Sequence, residues 1–213
     1  RRNVTALAIE ASASQIQARE FWEAQDLGVQ GTVNGKDLRF RDKQWEADWI
    51  QRAVVAKDGP VFFPKISVDT DNGAQATDST SDIDVRGMPV EYDRVEGVRL
   101  GSLISRQDYL DFLHLDLQGT ELEMLRSGEF ECLRSRVGVV LLGTHSRASE
   151  DEALRIMPQL GFTLLAEETC QFTQVLRPNP DEPDASDYRT ALIVDGEQFW
   201  VSKSVLSRGR AAG

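Results

Sequence analysis

FLHLDLQGTELEML, residues 112–125, changes character midway, and that change decides the fold class. Phe112–Leu117 is an apolar, strand-like run, whereas Thr120–Arg126 begins a helix. Gly119 sits between them, where a residue without Cβ permits a tight bend. Glu121 falls in the first helical turn, a position where the helix dipole favours an anion. Asp116 is the residue that local structure does not require, because a carboxylate in an apolar strand must be paired or lie at an opening. The segment is a strand–turn–helix unit with an acid at its bend.

Similar units flank it. Val4–Ile9 is a short apolar run ending in Glu10, with Ser12 or Ser14 able to cap a helix carrying Ile16, Ala18, Phe21, Trp22 and Leu27 and stopped by Gly28. Val137–Leu142 is the most hydrophobic strand and is expected to be central and buried on both faces. A helix from about Glu150 follows, with Ala153, Leu154, Ile156, Met157 and Leu160 at helical spacing and an end at Gly161. Phe162–Ala166 is the next strand, Val90–Leu100 is extended, and Gly101–Leu110 holds a short helix. Strands alternating with helices predict an α/β protein of Rossmann-like form, with a mainly parallel sheet covered by helices on both faces.

Two Asp-Gly pairs between β-prone runs predict hairpins. One joins Ile50–Ala56 to Val61–Ile66 through Asp58-Gly59, and the other joins Arg189–Val194 to Gln198–Ser202 through Asp195-Gly196. The second would add an antiparallel hairpin at the C-terminal end. Asp37–Trp49 is expected to be mostly helical, and Pro178–Asp187 a polar loop. Residues 67–87 are rich in Asp, Ser, Thr and Asn and are expected to form a flexible loop, or a lid over a site. A single domain over residues 1–213 accommodates all of this.

A net charge of −11 argues against a nucleic-acid partner, whose phosphates need a basic surface. No apolar run nears the roughly 20 residues that span a bilayer, so no membrane partner is expected. Cys132 and Cys170 are far apart and make no CxxC pair. They read as small core or boundary residues, and a cytoplasmic location is expected.

In open α/β sheets ligands bind beyond the carboxyl ends of the strands. Glu10 lies at one such end, as a ribose-hydroxyl acceptor or as a charge at a helix start. His114 and Asp116 are two apart on one strand, so they form either a base–carboxylate pair or a structural one. His145 follows the most buried strand and faces the same edge as a candidate base. No three ligands stand at zinc-like spacing, and no metal is expected.

At these residues the chain resembles the FkbM family of S-adenosylmethionine-dependent methyltransferases. The hallmark is similar to His114-Leu115-Asp116-Leu117-Gln118-Gly119-Thr120-Glu121 with Leu125 downstream, although the family has Lys and Glu where this chain has His114 and Gln118. Ala8-Ile9-Glu10-Ala11, Arg52-Ala53-Val54 with Asp58-Gly59 and Val61-Phe62, Val98-Arg99-Leu100, Gly143-Thr144-His145-Ser146-Arg147 and Asp195-Gly196 follow in the family's order.

The resemblance implies a class I methyltransferase-like fold and S-adenosylmethionine as cofactor, held by Glu10, Ala53, Asp116, Gly119 and Glu121. It also implies a small-molecule or glycan hydroxyl as acceptor, with His145, His114 and Asp116 as catalytic candidates. Members begin with a strand ending in a Gly-x-Gly loop, which nothing before Val4 supplies. The expectation is therefore a domain incomplete at its N-terminus, binding cofactor weakly and leaving a sheet edge open. The rival expectations are a non-catalytic scaffold of the same fold and another nucleotide-binding α/β enzyme. Oligomeric state is not encoded in any of these features.

Overall fold

The computed structural model describes residues 4–10, 32–34, 37–41, 45–65, 75–81, 90–178 and 186–211. The expected helix over residues 16–27 lies outside them. The chain is a mixed α/β protein in two compact units, Arg1–Leu100 and Gly101–Gly213.

The first unit holds strands β1 (Val4–Glu10), β2 (Thr32–Asn34), β3 (Asp37–Arg41), β4 (Trp45–Gln51), β5 (Ala53–Val55), β6 (Gly59–Pro64) and β7 (Tyr92–Arg99). One sheet has the order β1-β4-β3-β2, with β1 parallel to β4 so that Glu10 lies opposite Gln51. The stretch expected to be helical is thus two antiparallel strands, β3 and β4. Trp45 and Trp49 are four apart, a spacing that satisfies both a helical turn and two strand repeats. Ala47 between them, and the alternation of Leu38 and Phe40 with charged residues, belong to the strand period.

The first expected hairpin does not form either. β7 lies between β5 and β6, parallel to the former and antiparallel to the latter. The Asp58-Gly59 bend therefore spans a strand instead of closing a two-residue turn. Gly59 takes φ +139°, and the Asp58 carboxylate accepts from Arg99 N at 2.8 Å and Arg99 Nε at 3.0 Å, fastening the bend to the end of β7. Ala53, Val61, Phe63 and Val95 are buried together as the core of this sheet, with Val55 and Ala76 packed against them. Within the expected loop, Thr77 is tied to Phe62 by two backbone hydrogen bonds of 2.8 and 2.9 Å. Residues 67–74 and 82–87 of it lie outside the described set.

Among the described residues the first helix is α1 (Leu100–Ile104), at the sequence boundary of the units. Then come β8 (Leu110–Leu115), α2 (Glu121–Ser127), a 3-10 turn (Glu129–Leu133), β9 (Val137–Thr144), α3 (Arg147–Ile156), β10 (Phe162–Glu168), β11 (Gln171–Pro178), β12 (Ser186–Val194), β13 (Gly196–Ser202) and α4 (Lys203–Ala211). The main sheet of the second unit runs β10-β13-β9-β8. β9 is internal and largely buried, as its composition predicts. β8 and β9 are parallel, but β13 runs antiparallel to both β9 and β10. Across all sheets only β1/β4, β5/β7 and β8/β9 pair in parallel, so the expected mainly parallel arrangement is replaced by a mixed one among the described residues.

The C-terminal hairpin is corrected as well. β12 pairs with β11 in a separate two-stranded sheet, whereas β13 inserts between β10 and β9. Gly196 is not at positive φ, so it does not serve as a hairpin-turn residue. It pairs with Thr144, and a Cβ there would lie 2.5 Å from Glu150 Oε1 and 2.8 Å from Cys170 N. The glycine is needed for close approach.

That approach serves a buried polar cluster. Glu150 accepts from Cys170 N and from Arg147 Nη1 at 2.9 Å, and Thr144 Oγ1 reaches it at 3.4 Å. Its carboxyl is held below the usual carboxylate range. Burial works against ionisation, but the Cys170 and Arg147 hydrogen bonds outweigh it. Gln198 Nε2 donates to Glu167 Oε1 at 2.7 Å, and the buried Trp200 donates Nε1–H to Gln198 Oε1 at 3.2 Å. The polar groups under β13 thus carry partners, as burial demands.

Cys170 is buried beside Thr144, to whose carbonyl its Sγ donates. Cys132 is half-buried in the 3-10 turn, with Sγ donating to Glu129 O at 3.0 Å. The two readings as core and boundary residues hold.

Two outcomes follow. Gly196→Ala should cost about 1–3 kcal/mol of stability by overpacking, read as a lower urea midpoint with unchanged slope; an unaltered midpoint would show that the 195–196 segment relaxes freely. The Cys132 thiol is pushed up to about 11 by burial and then by Glu129. A raised thiol pKa leaves less thiolate at a given pH, so iodoacetamide at pH 8 should label Cys132 on the order of a hundredfold more slowly in the native protein than in urea. Equal rates would contradict the burial.

Candidate functional site

β8 and β9 lie side by side and point the same way, with Leu115 opposite Leu142. The residues leaving their carboxyl ends are therefore neighbours. After Leu115 the chain bends through Asp116–Thr120, with Gln118 at φ 54° and Gly119 at φ 107°. Two successive left-handed residues reverse the path within one turn, and glycine takes the more demanding of the two. After Thr144 the chain passes through His145 to Ser146, whose hydroxyl caps α3 by accepting from Ser149 N at 3.1 Å in a reciprocal capping box. That cap fixes where α3 begins and so where His145 stands.

Glu121 joins the two. It is fully buried, and Oε1 accepts from Leu117 N at 2.8 Å while Oε2 accepts from Gly119 N at 2.9 Å. His145 Nδ1 lies 3.1 Å from Oε1. Oε1 already accepts from Leu117 N, so Nδ1 is the donor to it and Nε2 is the ring nitrogen left facing the other way. Nε2 is buried, lies 3.3 Å from Asp116 Oδ1 and 3.8 Å from Asp195 Oδ1, and makes no hydrogen bond. Asp116 Oδ1 itself accepts from Gln118 Nε2 at 2.9 Å. Burial lowers the His145 pKa, but Glu121, and after it Asp116 and Asp195, outweigh that effect and hold it above the ordinary histidine value.

The expected residues divide clearly. Asp116 and His145 come together, and the imidazole beside Asp116 is that of His145, whereas His114 is exposed on β8. Glu121 belongs to the site but its oxygens are turned wholly inward. The Gly119 N–H is likewise spent on Glu121. Ala53 is buried in the core of the β5-β7-β6 sheet, and Glu10 ends β1 in the first unit.

Asp195 was not expected. Its Asp-Gly pair reads as a hairpin turn, and only the Gly196–Thr144 pairing reveals that the preceding carboxylate falls beside His145. Ligand atoms of Asp116, Glu121 and His145 lie within 4.8 Å of one another, so a metal-capable group exists here although the sequence spacing gives no sign of one.

Among the described residues no helix is long and apolar enough to cross a membrane. No curated protein and no solved structure matches the chain. The family described as Methyltransferase FkbM domain matches residues 5–164, a stretch that takes in the β8–α2 bend and the β9–α3 junction with Asp116, Glu121 and His145. A match over about three quarters of the sequence, enclosing the bend and the histidine it orients, makes this chain a member of the FkbM methyltransferase family.

Proposed function

We propose that the chain transfers a methyl group from S-adenosylmethionine to a hydroxyl of a small molecule or sugar. Membership of a methyltransferase family supplies the reaction class. The observation that carries the finer reading is the corner of Asp116, His145 and Asp195 at the carboxyl ends of β8 and β9. Half-exposed carboxylates at that edge suit both a cationic cofactor and a hydroxyl acceptor.

When bound, S-adenosylmethionine supplies an electrophilic methyl group on a sulfonium, so little covalent help is needed from the protein. The chain's work is to align the acceptor oxygen and accommodate the proton that leaves as the oxygen–carbon bond forms. His145 and Asp116 are assigned that end. Glu121 fixes the tautomer and direction of the imidazole. Glu10, at the end of β1, is assigned to the ribose hydroxyls. Gly119 shapes the bend that brings Asp116 outward, and Ala53 contributes as a core residue whose small side chain is enclosed.

Calorimetric titration of the full-length protein with S-adenosylmethionine tests the cofactor, and absence of binding sinks the proposal. Glu10→Ala is expected to weaken cofactor binding roughly tenfold or more, the loss of charge-assisted hydrogen bonds. His145→Ala should leave cofactor affinity in place while lowering kcat on the order of a hundredfold. His114→Ala should change neither. Unchanged turnover in His145→Ala would reject its assignment.

A further inference from the structure

His145 is held in an arrangement that its hydrogen bonds alone do not satisfy. Its side chain is 9% exposed, and Nδ1 is committed to Glu121. Nε2 is enclosed with no hydrogen-bond partner, although Asp116 Oδ1 is only 3.3 Å away and Asp195 Oδ1 is 3.8 Å away. The enclosed nitrogen and the two carboxylate oxygens thus converge on one point, and a positive group placed there would satisfy all three. Among the described residues no lysine or arginine is ion-paired with Asp116, Glu121 or Asp195.

The separation itself fits a shared ion. Ligand atoms about 2.1 Å from a metal stand roughly 3.0–3.4 Å apart along the edge of an octahedron or tetrahedron. The 3.3 Å between Nε2 and Oδ1 falls in that range. Glu121 supplies the remaining part of a metal-binding histidine, a carboxylate that takes the other ring N–H and fixes the ring's direction.

We propose that this corner binds one divalent first-row transition-metal ion, with His145 Nε2 and the Asp116 carboxylate as ligands and Asp195 as a further acidic group facing it. Glu121 is the outer partner, because both its oxygens are occupied by N–H groups. One imidazole with carboxylates suits a first-row transition ion, which takes nitrogen and oxygen ligands together, better than it suits magnesium or calcium. The use of the ion rests on the methyl-transfer reading: a hydroxyl bound beside it becomes more acidic and is held in place for alkylation. Its binding does not depend on that reading.

The test is a calorimetric titration of the full-length protein with manganese chloride, alongside a cobalt titration followed by visible absorption, both without cofactor or acceptor. One ion per chain is expected, with cobalt bands that show nitrogen ligation. His145→Ala and Asp116→Asn should each weaken binding at least tenfold. Glu121→Gln should weaken it on the order of 10–100-fold at unchanged stoichiometry. Asp116 is half-exposed, so its variant keeps the test informative if the buried ones fail to fold. Absence of saturable binding, or native affinity in Asp116→Asn, overturns the site. An ion that binds to a protein unable to bind S-adenosylmethionine would refute the methyl-transfer reading alone. Methyl transfer by a protein that binds no ion would refute the site alone.

Discussion

The second unit is organised around one buried carboxylate. Glu121 accepts N–H groups from Leu117 and Gly119, which lie just before it in the chain, and from His145, twenty-four residues away. An enclosed anion without such donors would be prohibitively costly, so the bend and the histidine are mutually required. The left-handed turn at Gln118 and Gly119 presents the two backbone N–H groups inward, and the same turn sends Asp116 outward. The local hydrogen bonding of one side chain thereby sets the spacing between Asp116 and His145.

A second buried carboxylate, Glu150, does the corresponding work after β9. Glu150 links α3 to the residue before β11, while Thr144 and Gly196 close around it. Charged groups in such places contribute position more than stability, since their desolvation offsets much of what their bonds return. Here the position gained is that of Asp195, which leads directly into Gly196 and lies beside His145.

Much of this was legible in order of sequence range. Phe112–Leu125 announced its strand, bend and helix because apolar period, glycine and first-turn acid agree locally. Val137–Leu142 announced a central strand by composition alone. What could not be read was pairing. Asp58-Gly59 and Asp195-Gly196 carry a strong local turn signal, but in each case the flanking strands pair elsewhere, with β7 in one case and with β11, β9 and β10 in the other. Trp45 and Trp49 fit two periods at once, and the long-range partnership of β4 with β1 and β3 selects the strand. The site shows the same division. Asp116 and His145 stood out as polar residues at strand ends, but that Asp116 pairs with His145, the inward role of Glu121 and the arrival of Asp195 all depend on contacts between distant segments.

The insertion of β13 between β9 and β10 has a consequence for the order of assembly. β13 follows both β9 and β10 in the chain yet fills an interior place between them in the sheet, so both are made before the strand that joins them exists. Until then each presents an unpaired edge of hydrophobic strand, the kind of surface on which nascent chains associate with one another. Closing the gap requires contacts across more than fifty residues, from Thr144 to Gly196, and such distant pairings form slowly. The corner of Asp116, His145 and Asp195 is therefore incomplete until the sheet closes and Asp195 is delivered to His145.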